Sequence, residues 1–255
     1  RRHTRYGTVT GVQTCALPIS IAGSLIWKLP LPFNPSHVPD PAKIRLEFPH
    51  LARFNGAWYC GFREAQVHGT HHSGIGRIIR SVDGKNWESV KEFRWRDGDV
   101  REPRLTVTAD GYLMANAIIY HLKEIPGAPH DHRLIAQPHK LGGVPPTHDE
   151  DKVCIQSVTW FSEDGVHWTS AYACPSGANT RRYDVTWHNG MAYSAACATG
   201  RDLSGSIYRS RDGKSWRTLA NNVVPTVGQG DEISLAFGSD DLCCALMRGD
   251  RSEEH

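Results

Sequence analysis

Short apolar runs broken by turn residues recur along the chain, and no long stretch of helix formers interrupts them. Residues 51–60, 104–114, 183–193 and 233–246 each read as strand, tight turn, strand. Asn55-Gly56, Asp110-Gly111, Asn189-Gly190 and Asp240-Asp241 stand between their apolar halves. Asn-Gly and Asp-Gly mark hairpins because Asn and Gly tolerate φ > 0, which a tight hairpin turn requires.

A second pattern alternates with the first. Ser81-Val82-Asp83-Gly84-Lys85-Asn86-Trp87, Ser162-Glu163-Asp164-Gly165-Val166-His167-Trp168 and Ser210-Arg211-Asp212-Gly213-Lys214-Ser215-Trp216 all read S-x-D-G-x-x-W. A strand-like segment precedes each: residues 77–80, 154–161 and 206–209. The Asp side chain accepts local backbone N–H bonds, the Gly takes φ > 0, and the Trp packs under the turn. Three copies in one chain predict a repeated β unit.

Together the two patterns predict an inner hairpin followed by an outer hairpin, which makes a four-stranded antiparallel blade. Inner strands start near Pro49, Pro103, Tyr183 and Glu232, at spacings of 54, 80 and 49 residues. The long middle interval holds residues 120–152, rich in Pro and His, and reads as an insertion between the two hairpins of the second blade. The fold expected is all-β, a β-propeller of which about 3.5–4 blades are present. An open ring leaves a blade face bare, so stability alone is expected to be marginal.

Composition narrows the function without naming it. Apolar residues at 39% and charged residues at 22% describe a globular chain. Twenty-nine Lys and Arg against 27 Asp and Glu give a net charge of +2, with no basic run. A nucleic-acid partner has no electrostatic footprint here. The longest mainly apolar stretch, residues 15–27, is broken by Pro18 and too short to span a bilayer. Seven cysteines without a C-x-x-C pair read mostly as small buried apolar residues. His68, His71 and His72 are close, and His121, His130, His132, His139 and His148 crowd the insertion, but no fixed-spacing ligand set is present. They read as solvated loop, and neither metal nor cofactor is expected.

Residues 1–19 show no strand or helix period and resemble translated sequencing adapter, as does the tail 250–255. The folded unit is therefore expected to be residues 20–249, part of a longer native protein. The compartment stays open, with secretion or a periplasmic site possible.

The S-x-D-G-x-x-W turns resemble the Asp-box of the sialidase superfamily and other bacterial-neuraminidase-repeat proteins, over roughly residues 45–248. That resemblance implies a six-bladed propeller, here incomplete, and an exo-sialidase-type glycoside hydrolase acting on terminal acidic sugars of glycans. The same turns occur in non-catalytic propellers, so binding of a glycan or protein without turnover is the alternative. By the resemblance, residues 231–248 form the hairpin on which Glu232 polarises a nucleophilic Tyr and Arg248 holds the substrate carboxylate. Arg63, Arg101 and Arg182 stand at inner-strand ends, where a planar guanidinium fork suits a carboxylate. The sequence departs from the family where Glu47-Phe48-Pro49-His50 lacks the usual arginine, and where residues 66–73 lack the catalytic Asp. His68 and Asp99 are the candidates for that proton donor. The nucleophilic Tyr and the last Arg are expected beyond residue 255. The 255 residues by themselves are accordingly expected not to hydrolyse sialosides.

Overall fold

The computed structural model describes residues 44–66, 68, 74–96, 98–121, 155–178, 180–198, 205–223 and 232–247. Both terminal segments, the insertion from residue 122 onward, His71, His72 and Arg248 lie outside the described residues.

Every regular element described is a strand. The first sheet contains β1 (Arg45–Phe54), β2 (Ala57–Ala65), β3 (Ile75–Ser81) and β4 (Glu88–Phe93), paired in that order. The second contains β5 (Gly98–Val107), β6 (Leu113–His121), β7 (Ile155–Ser162) and β8 (Tyr172–Ala178). In the third, β9 (Thr180–Arg182) and β10 (Thr186–His188) share β11 (Met191–Ala198) as partner, followed by β12 (Gly205–Ser210) and β13 (Arg217–Ala220). A hairpin of β14 (Ile233–Phe237) and β15 (Cys243–Met247) comes last. All pairings are antiparallel. These are successive blades of a β-propeller: three of four strands, with the innermost strand of the third interrupted, and one hairpin.

The inner hairpins turn as their residues dictate. Asn55 and Gly56 take φ of 47° and 77°, and Asn189 and Gly190 take 48° and 72°, the double left-handed pair of a tight two-residue turn. At the outer turns the three S-x-D-G-x-x-W segments repeat one set of bonds. Gly84, Gly165 and Gly213 N–H donate to the Ser81, Ser162 and Ser210 hydroxyls at 2.9, 2.8 and 2.8 Å. Asp83, Asp164 and Asp212 each accept two further backbone N–H bonds at 2.8 Å. Trp87 and Trp216 indoles close their turns onto the Gly84 and Gly213 carbonyls at 3.2 and 3.0 Å. The Trp168 indole makes no such bond and instead meets Phe93 edge-on at 5.2 Å, across the blade boundary.

Blades adhere through apolar faces. Phe54, Tyr59, Ile78 and Phe93 of the first meet Val100, Leu105, Leu113, Val158 and Trp160 of the second. Met114 and Phe161 of the second meet Val185, Ala192, Tyr208 and Trp216 of the third. Turn and neighbour interlock as well: Tyr59 donates to the Asp164 carbonyl at 3.2 Å, and Thr159 to the Gly213 carbonyl at 2.9 Å. The last hairpin differs. Leu246 is 78% exposed, and Cys243 and Cys244 are both exposed. Among the described residues no further strand runs along β15, which leaves these side chains uncovered, so Cys243 and Cys244 are not the small core residues expected, whereas Cys60 is buried.

The turn carboxylates make folding pH-dependent. Backbone N–H groups of Asn86 and Lys85 hold the Asp83 carboxyl well below its ordinary range. The His167 side chain and the backbone N–H groups of His167 and Val166 do the same for Asp164. For Asp212 burial acts upward but is outweighed by the N–H groups of Ser215 and Lys214. A carboxyl depressed in the folded state stabilises above its unfolded value and loses that contribution as pH falls through the folded one. The urea midpoint is therefore expected to fall progressively as pH drops below about 4 and on past pH 3, and to fall less in an Asp83→Asn/Asp164→Asn variant.

Candidate functional site

The inner strand of each of the first three blades carries one extra residue at a corresponding place. Between Glu47 and His50 on β1 the register against β2 shifts by one, as it does between Arg101 and Arg104 on β5 against β6. On the third blade, Arg182 faces Ala196 and Thr186 faces Tyr193, again one residue in excess. Phe48 and Glu102 sit in these bulges at φ of 58° and 53°, each directly before a proline. A non-glycine residue there costs about 1–3 kcal/mol and persists only where the surroundings enforce it. Tyr183 occupies the corresponding place on the third blade.

The bulges gather polar groups from all four units. Asp184 of the third blade accepts a hydrogen bond at 2.9 Å from Arg104 of the second. It faces His50 of the first blade at 3.6 Å and accepts a short hydrogen bond from the Ser234 hydroxyl of the last hairpin. Only near the common axis can four consecutive units reach one carboxylate. The His50 Nδ1 accepts the Leu105 N–H at 3.2 Å, and burial followed by the Arg104 charge lowers its pKa against the pull of Asp184. His50 is thus a neutral imidazole carrying its proton on Nε2, toward Asp184.

Beside this hub lies a buried carboxyl of altered acidity. Glu102 is nearly buried and accepts from Arg104 Nη2 at 3.3 Å. Burial raises its pKa; Arg104 and Arg101 oppose the shift and the nearby Glu232 adds to it. Arg101 lies with its guanidinium carbon 5.3 Å from the ring centres of both Phe48 and Tyr120. Arg181 lies 6.0 Å from the ring of Tyr183 and hydrogen-bonds Tyr120, whose phenol is pushed up by burial against the Arg181 and Arg101 charges. Phe48 also meets the His68 ring at 5.7 Å.

The seven site residues expected from sequence do not share one role. Arg101 and Glu232 belong to this cluster. Arg63 is fully buried between blades, its Nε and Nη2 on the two Asp99 oxygens at 3.0 and 2.8 Å and its Nη1 on Glu47 at 2.7 Å. Saturated in this way, it has no fork left for a substrate carboxylate. Asp99, also fully buried, has both oxygens on Arg63, so the expectation of a proton donor there is corrected. His68 is 68% exposed at its side chain and bonds Glu47 at 3.0 Å, above the same network. Arg182 is corrected too. Strand alternation turns it into the wall between the second and third blades, 4.4 Å over the Trp216 ring, and turns its neighbour Arg181 toward Tyr120 and Tyr183. Arg248 lies outside the described residues.

Sequence reasoning missed Glu102, Tyr120, Arg181 and Asp184 as site residues. The signal for Glu102 and Asp184 was the bulge itself, since X-Pro at an inner-strand start marks Phe48-Pro49 and Glu102-Pro103 and places Asp184 by register. Among the described residues, no three His, Cys, Asp or Glu side chains converge as metal ligands. Hollows of about 340 and 390 Å³ lie elsewhere, along the outer turns beside Tyr112, Trp168 and Asp212.

Solved structures carry the same fold. A protein of unknown function from Dyadobacter fermentans superposes with a TM-score of 0.59 at 18% identity, over 81% of this chain and 62% of that one. The Hadza microbial sialidase Hz136 gives 0.59 at 16%, over 80% and 42%. The Bombyx mori GH32 beta-fructofuranosidase BmSUC1 gives 0.53 at 14%, over 79% and 41%. No protein-family model and no curated protein sequence matches the chain. Fold and comparisons together define the class: a β-propeller of the kind found in glycosidases. The chain spans about 41–62% of the length of these three structures.

Proposed function

We propose that the bulge cluster binds the terminal acidic sugar of a glycan and belongs to an exo-sialidase-type glycoside hydrolase. The observation that carries this reading is Glu102. Burial favours its protonated form, and the backbone holds it in a bulge among Arg101, Arg104 and Glu232. A carboxyl whose pKa is raised by burial is better suited than an ordinary one to donate a proton to a leaving glycosidic oxygen. Arg101 beside it, and Arg181 beside Tyr120, offer cationic forks matched to a sugar carboxylate. The rings of Phe48, Tyr120 and Tyr183 orient those forks.

One observation favours the second reading, recognition without turnover. The Tyr120 phenol, beside the carboxyl, is made less acidic by its surroundings, the reverse of an activated nucleophile.

Binding and turnover separate the two. Titration with N-acetylneuraminate, followed by intrinsic fluorescence, is expected to saturate, while a neutral hexose leaves the signal flat. Arg101→Met should weaken binding by about 10- to 100-fold, the loss of one charge-assisted contact. Equal response to both sugars, or an Arg101→Met protein that binds as before, would overturn the acidic-sugar site. Measured on a chain that also carries the further blades expected from the sequence, turnover of a fluorogenic sialoside that falls by about 10²–10⁴ in Glu102→Gln, with binding kept, supports the hydrolase. Binding without turnover leaves the recognition reading.

A further inference from the structure

Two hollows meet where turns of the second and third blades come together. Tyr112, Phe161, Glu163 and Thr169 border both, so the spaces of about 340 and 390 Å³ form one trough. Strand register places it. Val107 pairs with Leu113 and Leu113 with Ser162, so the β5–β6 and β7–β8 turns share one end of the second blade. Trp187 pairs with Ala192 and Ala192 with Ser210, which brings Trp187 and the Asp212 turn together on the third. The bulge at Glu102 lies back along β5 from Val107 by about 17 Å of extended strand. The trough is separate from the axial cluster.

Its walls suit a hydroxylated ligand. Tyr112 is 37% exposed and borders both hollows. Its turn is fixed by reciprocal bonds: Thr108 N–H donates to the Tyr112 carbonyl at 2.8 Å, and Tyr112 N–H to the Thr108 hydroxyl at 3.0 Å. An aromatic face held in this way receives the C–H face of a pyranose ring through dispersion and its own quadrupole. Trp168 borders one hollow and Trp187 the other, and neither indole N–H has a hydrogen-bond partner among the described residues. The Thr108 and Thr169 hydroxyls each accept one backbone N–H and keep a proton to donate. Lys214, its Nζ 4.7 Å from the Tyr172 ring centre, is a further donor. The acceptors are the Glu163 and Asp110 carboxylates, since those of Asp164 and Asp212 are held by their own turns. Sugar hydroxyls donate and accept, which matches this mixture; an ammonium ligand would leave the donors unmet. Four carboxylates against Lys214, and a His167 already on Asp164 at 2.6 Å, disfavour an anion.

We propose that this trough is a second carbohydrate site, which takes a neutral oligosaccharide and not the acidic sugar assigned to the axial cluster. Tyr112 supplies the stacking face, and Glu163 accepts from the sugar hydroxyls beside it. The site stands on its own geometry and does not rest on the function proposed for the axis.

Saturation-transfer NMR of the whole chain with cellohexaose, maltohexaose and lacto-N-tetraose tests this. At least one of the three is expected to bind, with its ring C–H protons saturated most strongly, and to slow hydrogen exchange in residues 108–114 or 162–169. Tyr112→Ala should weaken that binding on the order of 10-fold, whereas Tyr112→Phe keeps the aromatic face and most of the affinity. Should Tyr112→Ala fail to fold, Glu163→Ala, at an exposed side chain, carries the comparison with a loss of roughly 3- to 10-fold. Excess N-acetylneuraminate should leave the signal unchanged, so that failure here and failure at the axis are read separately. No binding by any of the three sugars, equal binding in the Tyr112→Ala and Glu163→Ala proteins, or displacement by N-acetylneuraminate would overturn the proposal.

Discussion

Replacing Arg63 by methionine is expected to destabilise the chain by roughly 3–5 kcal/mol, the cost of leaving a buried charge uncompensated. Asp99 has no exposed surface, and both its oxygens depend on that guanidinium. It packs so closely on Gly74 that a Cβ added there would lie 1.7 Å from its Oδ1. Glu47 retains His68 and some exposure, so its own loss is smaller. Asp99→Leu alone should cost a similar amount by stranding Arg63. The pair replaced together should cost far less than both single changes added, since an apolar pair of similar volume removes both buried charges. Urea denaturation of the three variants measures the coupling. Additive losses would mean that Arg63 and Asp99 act on stability through separate surroundings.

Gly165→Ala is the second large effect. Gly165 takes φ of 81°, and a Cβ there would lie 2.1 Å from the Tyr59 hydroxyl of the preceding blade. Gly111 has nearly the same φ, 82°, with nothing within 4 Å. Alanine at either position bears the left-handed backbone penalty of about 1–2 kcal/mol. Only at Gly165 does it also push the blades apart, at about 1–3 kcal/mol more for overpacking. Gly165→Ala should therefore lower the melting temperature clearly more than Gly111→Ala. Equal shifts would show that the turn does not dock on Tyr59 in solution.

How far the sequence could be read follows from the range of each interaction. The outer turns were legible because Ser, Asp, Gly and Trp satisfy one another within seven residues, and three copies repeat the arrangement. The inner Asn-Gly turns were legible for the same reason. Blade order then followed from chain order, since consecutive antiparallel strands lie side by side. The arginines were legible as residues but not as roles. Arg181 and Arg182 are neighbours, and a one-residue bulge decides which of them faces the Tyr120 ring and which enters the wall. That bulge is set by pairing with β11, a partner more than ten residues away.

The sequence by itself determined the strand-and-turn alphabet, the all-β class and the blade repeat, because these rest on local hydrogen bonding and period-two patterning. Tertiary structure alone decided what each charge is for. Arg63 became a clamp when Asp99 arrived from the next blade. Asp184 became a hub when His50, Arg104 and Ser234 arrived from three others. Glu102 acquired a raised pKa when the bulge on β5 became buried. Charge pairing and desolvation depend on which groups share a volume, and groups 36 to 134 residues apart meet here only because the blades pack.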